Sequence, residues 1–173
     1  TITNLVPGSE KVVGAAADRQ RFLAAVPDAR ILHLSAHGMV DAEKPERSFV
    51  AFSQPGDSLD TEELLFLNDL YALSMTAELT VLSACETSLG QLSPGELPLT
   101  MGGAFAAAGA RSTITTLWQV DDAATKEVMV DFYRALLAGE SRAEALQRAQ
   151  RARRETDMHQ HPYFWAGVTL QGE

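Results

Sequence analysis

The chain has 173 residues, 46% of them hydrophobic and 21% charged, which is ordinary for a soluble globular domain large enough to bury a core. Its 14 basic residues stand against 23 acidic ones, and the resulting charge of −9 argues against a nucleic-acid or anionic-membrane role. No apolar run approaches the ~20 residues of a membrane span and there is no basic-then-apolar leader, so a cytoplasmic protein is expected. One cysteine excludes an internal disulfide framework. Its length makes residues 1–173 one expected domain, and because the sequence opens on Thr1 that domain is expected to be the C-terminal piece of a longer protein.

Residues Ala15 to Ala25 carry helical spacing, with Phe22 and Leu23 as core contacts and Pro27 closing the helix. Arg30 to Ala36 is expected as a strand, since Ile31, Leu32 and Leu34 fall in a run too brief for a helix. Ser48 to Ser53 forms a second strand, followed by the turn Pro55-Gly56-Asp57. Asp60 or Thr61 caps a helix carrying Leu64, Leu65, Leu67 and Leu70. A third strand, Ala77 to Ala84, stops at Cys85.

Glu86 to Leu97 follows as a loop holding Gly90, Pro94 and Gly95. Leu99 to Ala110 is rich in small residues (Gly102, Gly103, Ala104, Ala106, Ala107, Ala108), as for a helix pressed closely on a sheet, and Gly109 ends it. Ser112 to Trp118 is a β-branched strand, and a helix starts at Asp121 or Asp122 and reaches Leu137. Ser141-Arg142-Ala143-Glu144 is a capping box opening the last long helix, and Phe164 to Leu170 makes a final strand. This alternation predicts an α/β fold: a mostly parallel sheet covered by helices on both faces.

In such sheets ligands gather outside the carboxyl ends of the strands, where His37 and Cys85 are both expected. If their strands are parallel neighbours, a thiol and an imidazole emerge on one edge. An imidazole that takes the thiol's proton or stabilises its thiolate makes a competent nucleophile. Gly38 lets a backbone N–H point at a developing oxyanion without side-chain interference, and the N–H of Cys85 supplies a second donor. His37 and Cys85 are about 50 positions apart, the separation found in caspases.

Other polar features read as structural. His33, Ser35 and His37 alternate along one strand face, but the ends of that triplet lie roughly 13 Å apart, too far to share a metal. His33 is expected as a hydrogen-bonded core residue, and His159 and His161 fall in a polar connector. Gly102, Gly103 and Gly109 do not form a nucleotide fingerprint. Asp121 and Asp122 are first of all acids at a helix N-terminus, and Arg148, Arg151, Arg153 and Arg154 form a solvated face.

The segments Ile31-Leu32-His33-Leu34-Ser35-Ala36-His37-Gly38 and Val81-Leu82-Ser83-Ala84-Cys85-Glu86-Thr87 resemble those of the CHAT family, caspase-like domains commonly fused to tetratricopeptide repeats. Ala108 to Ser112, Leu117 to Asp122, Phe132-Tyr133, Glu144-Ala145-Leu146 and His161 to Ala166 match further pieces in the family's order. The resemblance implies a caspase/separase-type fold and a Cys–His protease with no metal or organic cofactor. It puts His37 and Cys85 on the catalytic positions, Gly38 on the oxyanion-hole glycine and, by similarity to separases, Asp122 in the S1 pocket. Two departures stand out: Ser88 replaces a glycine common in the family, and the caspase Gln-Ala-Cys-x-Gly signature is absent, so cleavage after aspartate is not implied.

The expected reaction is peptide-bond hydrolysis on a protein or peptide substrate. Cys85 attacks the scissile carbonyl, His37 protonates the leaving amine, and water releases the acyl-enzyme. An upstream tetratricopeptide-repeat region is the implied regulator. The alternative is a catalytically silent caspase-fold scaffold that docks through its arginine-rich helix, and a further one is another acyl-transfer enzyme using the same dyad.

Overall fold

The computed structural model describes residues 2–41, 43–54, 56, 58–83, 100–156 and 158–172. Its central sheet has four strands: β1 (Ile31–Leu34), β5 (Leu79–Leu82), β6 (Ser112–Thr116) and β7 (Val168–Gly172), in that spatial order. β1, β5 and β6 run parallel, and β7 closes the far side antiparallel to β6. A second, antiparallel sheet joins β2 (His37–Met39), β3 (Phe49–Ala51) and β4 (Leu64–Phe66). The helices are α1 (Arg19–Ala25), α2 (Leu67–Tyr71), α3 (Met101–Ala107), α4 (Asp122–Leu137) and α5 (Arg142–Arg154). No helix among the described residues is long and apolar enough to cross a membrane.

Strand pleating divides the core into two layers. Leu79 and Val81 of β5 turn to one face, where they join Ile114, Val168 and the inner sides of α4 and α5 (Val128, Phe132, Tyr133, Ala145, Leu146). Leu82 turns to the other face with Leu32, against Phe22 of α1, Leu67 and Leu70 of α2 and Phe105 of α3. The small sheet adds Val50 and Leu65 to that second layer, both wholly buried. This is the three-layer α/β/α arrangement of a caspase-like fold.

Local chemistry sets the helix ends. The Asp121 carboxylate accepts from Ala124 N–H and opens α4, while Ser141 and Glu144 form a reciprocal capping box on α5. Thr100 caps α3 by accepting from Gly103 N–H. The helix then lies so close to the sheet that a Cβ on Gly102 would sit 3.0 Å from Thr115 Cγ2 and 3.2 Å from Gln171 Oε1.

Several expected elements differ. The helix expected over Ala15 to Ala25 begins only at Arg19, where the Asp18 carboxylate caps it by accepting from Arg21 N–H, and Gly14–Ala16 is a separate 3₁₀ turn. The first strand ends at Leu34 rather than Ala36, because the chain turns there to enter β2. The leucine run at 64–70 is not one helix: Leu64–Phe66 pairs with β3, and only Leu67–Tyr71 coils. The last strand starts at Val168, since Pro162–Phe164 forms a 3₁₀ turn and leaves the sheet register to the residues after it.

Packing under α3 gives a direct test. Gly102→Val should cost about 2–3 kcal/mol by forcing the helix off the sheet. Ala106→Val, on the exposed side of the same helix, should cost only a β-branched propensity difference below about 1 kcal/mol. Urea unfolding of the two variants checks the contrast, and equal losses would contradict the close approach.

Candidate active site

β1 pairs with β5 in the register His33↔Val81 and Leu34↔Leu82, and the pairing runs one step further, where Ser83 N–H donates to Leu34 O at 2.9 Å. The carboxyl ends of the two strands therefore leave the sheet side by side. β6 is parallel to β5, so the segment from Leu117 to Asp122 emerges on the same edge, about 10 Å from the end of β1. β7 runs the opposite way, which brings the segment before it, residues 161–167, to that edge too. Cys85 and the loop from Glu86 to Leu97 lie outside the described residues; Ser83 is the last described position before them.

His37 follows the end of β1 by three residues and opens β2, with its ring exposed and its backbone opposite Ala51. The orientation of Gly38 follows from the alternation of an antiparallel ladder. Leu67 N–H donates to Ser48 O and Phe52 N–H to Glu63 O, both at 2.9 Å, so Ser48, Val50 and Phe52 turn their backbone groups toward β4. Phe49 and Ala51 turn theirs toward β2, where they face Met39 and His37. Gly38, opposite Val50, is left with its N–H and C=O directed away from β3. That side of β2 carries no paired strand among the described residues.

Across the edge, capping α4 falls to Asp121, and Asp122 is the first helical residue with an exposed side chain. The strand-to-helix segment before it is held by residues that sequence reasoning left unconnected. Trp118 Nε1–H donates to Tyr163 O at 3.0 Å, and the two rings stack with centroids 6.5 Å apart at 18°. Tyr163 O–H donates to Gln119 O at 2.7 Å, and Leu117 N–H donates to Gly167 O at 2.8 Å. The aromatic residues and the glycine are plain in the sequence, but nothing local pairs position 118 with 163.

The remaining histidines have structural partners. His33 Nδ1 lies 3.1 Å from the Tyr133 hydroxyl of α4, and its Nε2 lies 3.4 Å from Ser35 Oγ. Burial against α4 pushes His33 down to about 4 and raises the Tyr133 phenol well above its ordinary range. His161 Nδ1 accepts from Tyr163 N–H at 3.2 Å, and His159 Nδ1 faces Glu127 at 3.4 Å. Among the described residues no group of three or more His, Cys, Asp or Glu side chains is placed to hold a metal ion. In the arginine run, Arg153 turns inward to Glu127 and Asp131, and Arg148 pairs with Glu140.

The sequence model of the CHAT domain family matches residues 1–173. Tetratricopeptide repeat protein 28 of Mus musculus is 28% identical over 195 residues, which take in 95% of this chain and 8% of that protein. The Homo sapiens protein of the same name is 28% identical over 197 residues with the same coverage. The chain thus spans under a tenth of the length of these relatives.

The His33–Tyr133 pair makes stability depend on pH. A histidine held at about 4 in the fold and near 6.5 in the unfolded chain binds its proton first in the unfolded state. Its contribution is complete above pH 6.5 and is lost as the pH falls toward 4, by about 2 kcal/mol for a partly exposed ring. A His33→Gln variant keeps an acceptor for Tyr133 but does not titrate. The stability gap between wild type and variant, from urea melts at pH 7.5 and 4.5, should shift against the wild type at the lower pH; a constant gap would contradict the assignment.

Proposed function

The chain belongs to the CHAT family, which is caspase-like, and we propose that it is a cysteine-dependent endopeptidase using His37 and Cys85. The observation that carries this reading is the parallel β1–β5 pairing extended by the Ser83–Leu34 bond. It brings Ser83, two positions before Cys85 in the sequence, beside the strand end from which His37 departs. In the proposed reaction His37 takes the thiol proton and Cys85 Sγ bonds to the scissile carbonyl carbon. The oxyanion is held by the N–H of Gly38, which points away from its own sheet, and by the N–H of Cys85. Collapse of the tetrahedral species breaks the C–N bond as the imidazolium gives its proton to the amine, and water hydrolyses the thioester.

Asp122 completes the reading as the floor of the pocket for the residue before the scissile bond. Its carboxylate is exposed at the shared edge and is not the helix cap, so it suits a lysine or arginine side chain. The relatives are tetratricopeptide repeat proteins, and a repeat region joined to this domain is the proposed regulator of the 86–97 loop. The scaffold alternative loses part of its support, because two of the four arginines it relied on are engaged within the fold.

Cys85 is the chain's sole cysteine, so labelling reports on it alone. A peptidyl acyloxymethyl ketone should modify the intact protein rapidly near neutral pH, and His37→Ala should slow the reaction about a hundredfold or more. Slow labelling at the same rate in both proteins would sink the protease reading. A function that survives Cys85→Ala would favour the scaffold.

A further inference from the structure

We propose that Tyr163 and Gly167 are positioning residues that clamp the segment after β6 into a fixed wall of the substrate cleft; the inference rests on the protease reading. Segments that leave strand ends are ordinarily the mobile parts of a fold. This one is held at every residue from 117 to 119. Leu117 is tied by its N–H to Gly167 O, Trp118 by its indole N–H and its stacked ring, and Gln119 by its carbonyl oxygen. Because the peptide unit is planar, fixing Gln119 O also fixes the Val120 N–H on the opposite side of the same plane.

Gly167 makes the clamp possible. A Cβ there would stand 2.8 Å from Trp118 Cε2 and 3.0 Å from Nε1, so any larger residue displaces the indole. The clamp is in turn anchored on α5. Gln150 Nε2 of α5 donates to Trp165 O at 3.1 Å and to Val168 O at 2.8 Å, and Trp165 Nε1–H donates to Gln160 O at 3.2 Å.

The placement of the clamp is what ties it to substrate rather than to the core. Tyr163 is 43% exposed and Trp118 only partly buried, so one side of the stack faces solvent at this edge rather than the core. It stands at the sheet edge shared with His37 and just upstream of Asp122. In the proposal a displaced Trp118 disturbs the surface on which an extended peptide lies between His37 and Asp122, and the intrinsic reactivity of Cys85 does not depend on it.

Two electrophiles separate these effects in the intact protein. Iodoacetamide reads the reactivity of Cys85, and a tetrapeptidyl acyloxymethyl ketone with lysine next to the warhead reads the cleft. Tyr163→Phe keeps the ring and removes only the bond to Gln119 O, so it should slow the peptidyl probe about threefold to tenfold. Gly167→Ala should slow it further, and iodoacetamide should react with both variants at the wild-type rate. A parallel fall in both rates would mean general loosening, and no fall in either would mean that the clamp does not shape the cleft; both results overturn the proposal. If the wild type reacts with iodoacetamide no faster than its His37→Ala variant and ignores the peptidyl probe, the protease reading fails and this inference falls with it.

Discussion

The parallel pairing of β1, β5 and β6 is the constraint on which the rest depends. Parallel neighbours cannot be joined by a hairpin, so each strand must exit at the same edge and return by a crossover. The crossovers supply the covering layers: α2 and the small sheet between β1 and β5, α3 between β5 and β6. Once both sheet faces are covered by apolar packing, the edge is where polar side chains from several strands can meet. The Ser83–Leu34 bond extends the register to the point where the two critical segments part from the sheet. The candidate site is thus a by-product of strand direction before it is a set of residues.

The small sheet adds a constraint of parity. Backbone groups and side chains alternate together along a strand, so a one-residue slip exchanges inward and outward groups. Val50 and Leu65 face each other across β3 and β4 and are wholly buried, which pins that register to the core. The same parity, carried across β3 to β2, turns Gly38 N–H outward. A hydrophobic contact thereby sets the direction of a hydrogen-bond donor two strands away. Losing Val50 would cost more than its transfer energy if β2 then re-paired with Gly38 turned inward.

Helix starts were legible in the sequence because caps are local. The Ser141–Glu144 box needs only a side chain and a backbone group three residues on, and the start of α4, open between Asp121 and Asp122 in the sequence, is capped by Asp121. The glycine–alanine content of α3 announced its close approach to the sheet. What failed needed partners. Leu64, Leu65, Leu67 and Leu70 satisfy a helical period, and only pairing with β3 turns the first part into a strand. His37-Gly38-Met39 has neither alternation nor β-branched residues, so β2 was invisible without Ala51 and Phe49 opposite it. The edge itself was legible from strand-end residues. Its bracing was not: Trp118 and Tyr163 stand 45 positions apart, and His33 and Tyr133 stand 100 apart.

The arginines of α5 show why a charge pattern underdetermines a surface. In one dimension Arg148, Arg151, Arg153 and Arg154 read as a cationic face on an acidic protein. In the fold, Arg153 is largely buried and bridges Glu127 and Asp131 of α4, and Arg148 reaches back to Glu140 before the helix begins. Exposed ion pairs contribute little to stability, a median of about 0–1 kcal/mol. Arg153 is different because its side chain is only 14% exposed and serves two carboxylates at once. It fixes how α4 and α5 lie against each other, and Gln150 on the same helix hands that geometry to Trp165 and Val168. From there it passes to the 161–167 segment and on to Trp118. The charge of Arg153, which in one dimension looks available to a partner, is therefore spent holding one side of the edge where the other strands deliver His37 and Gly38.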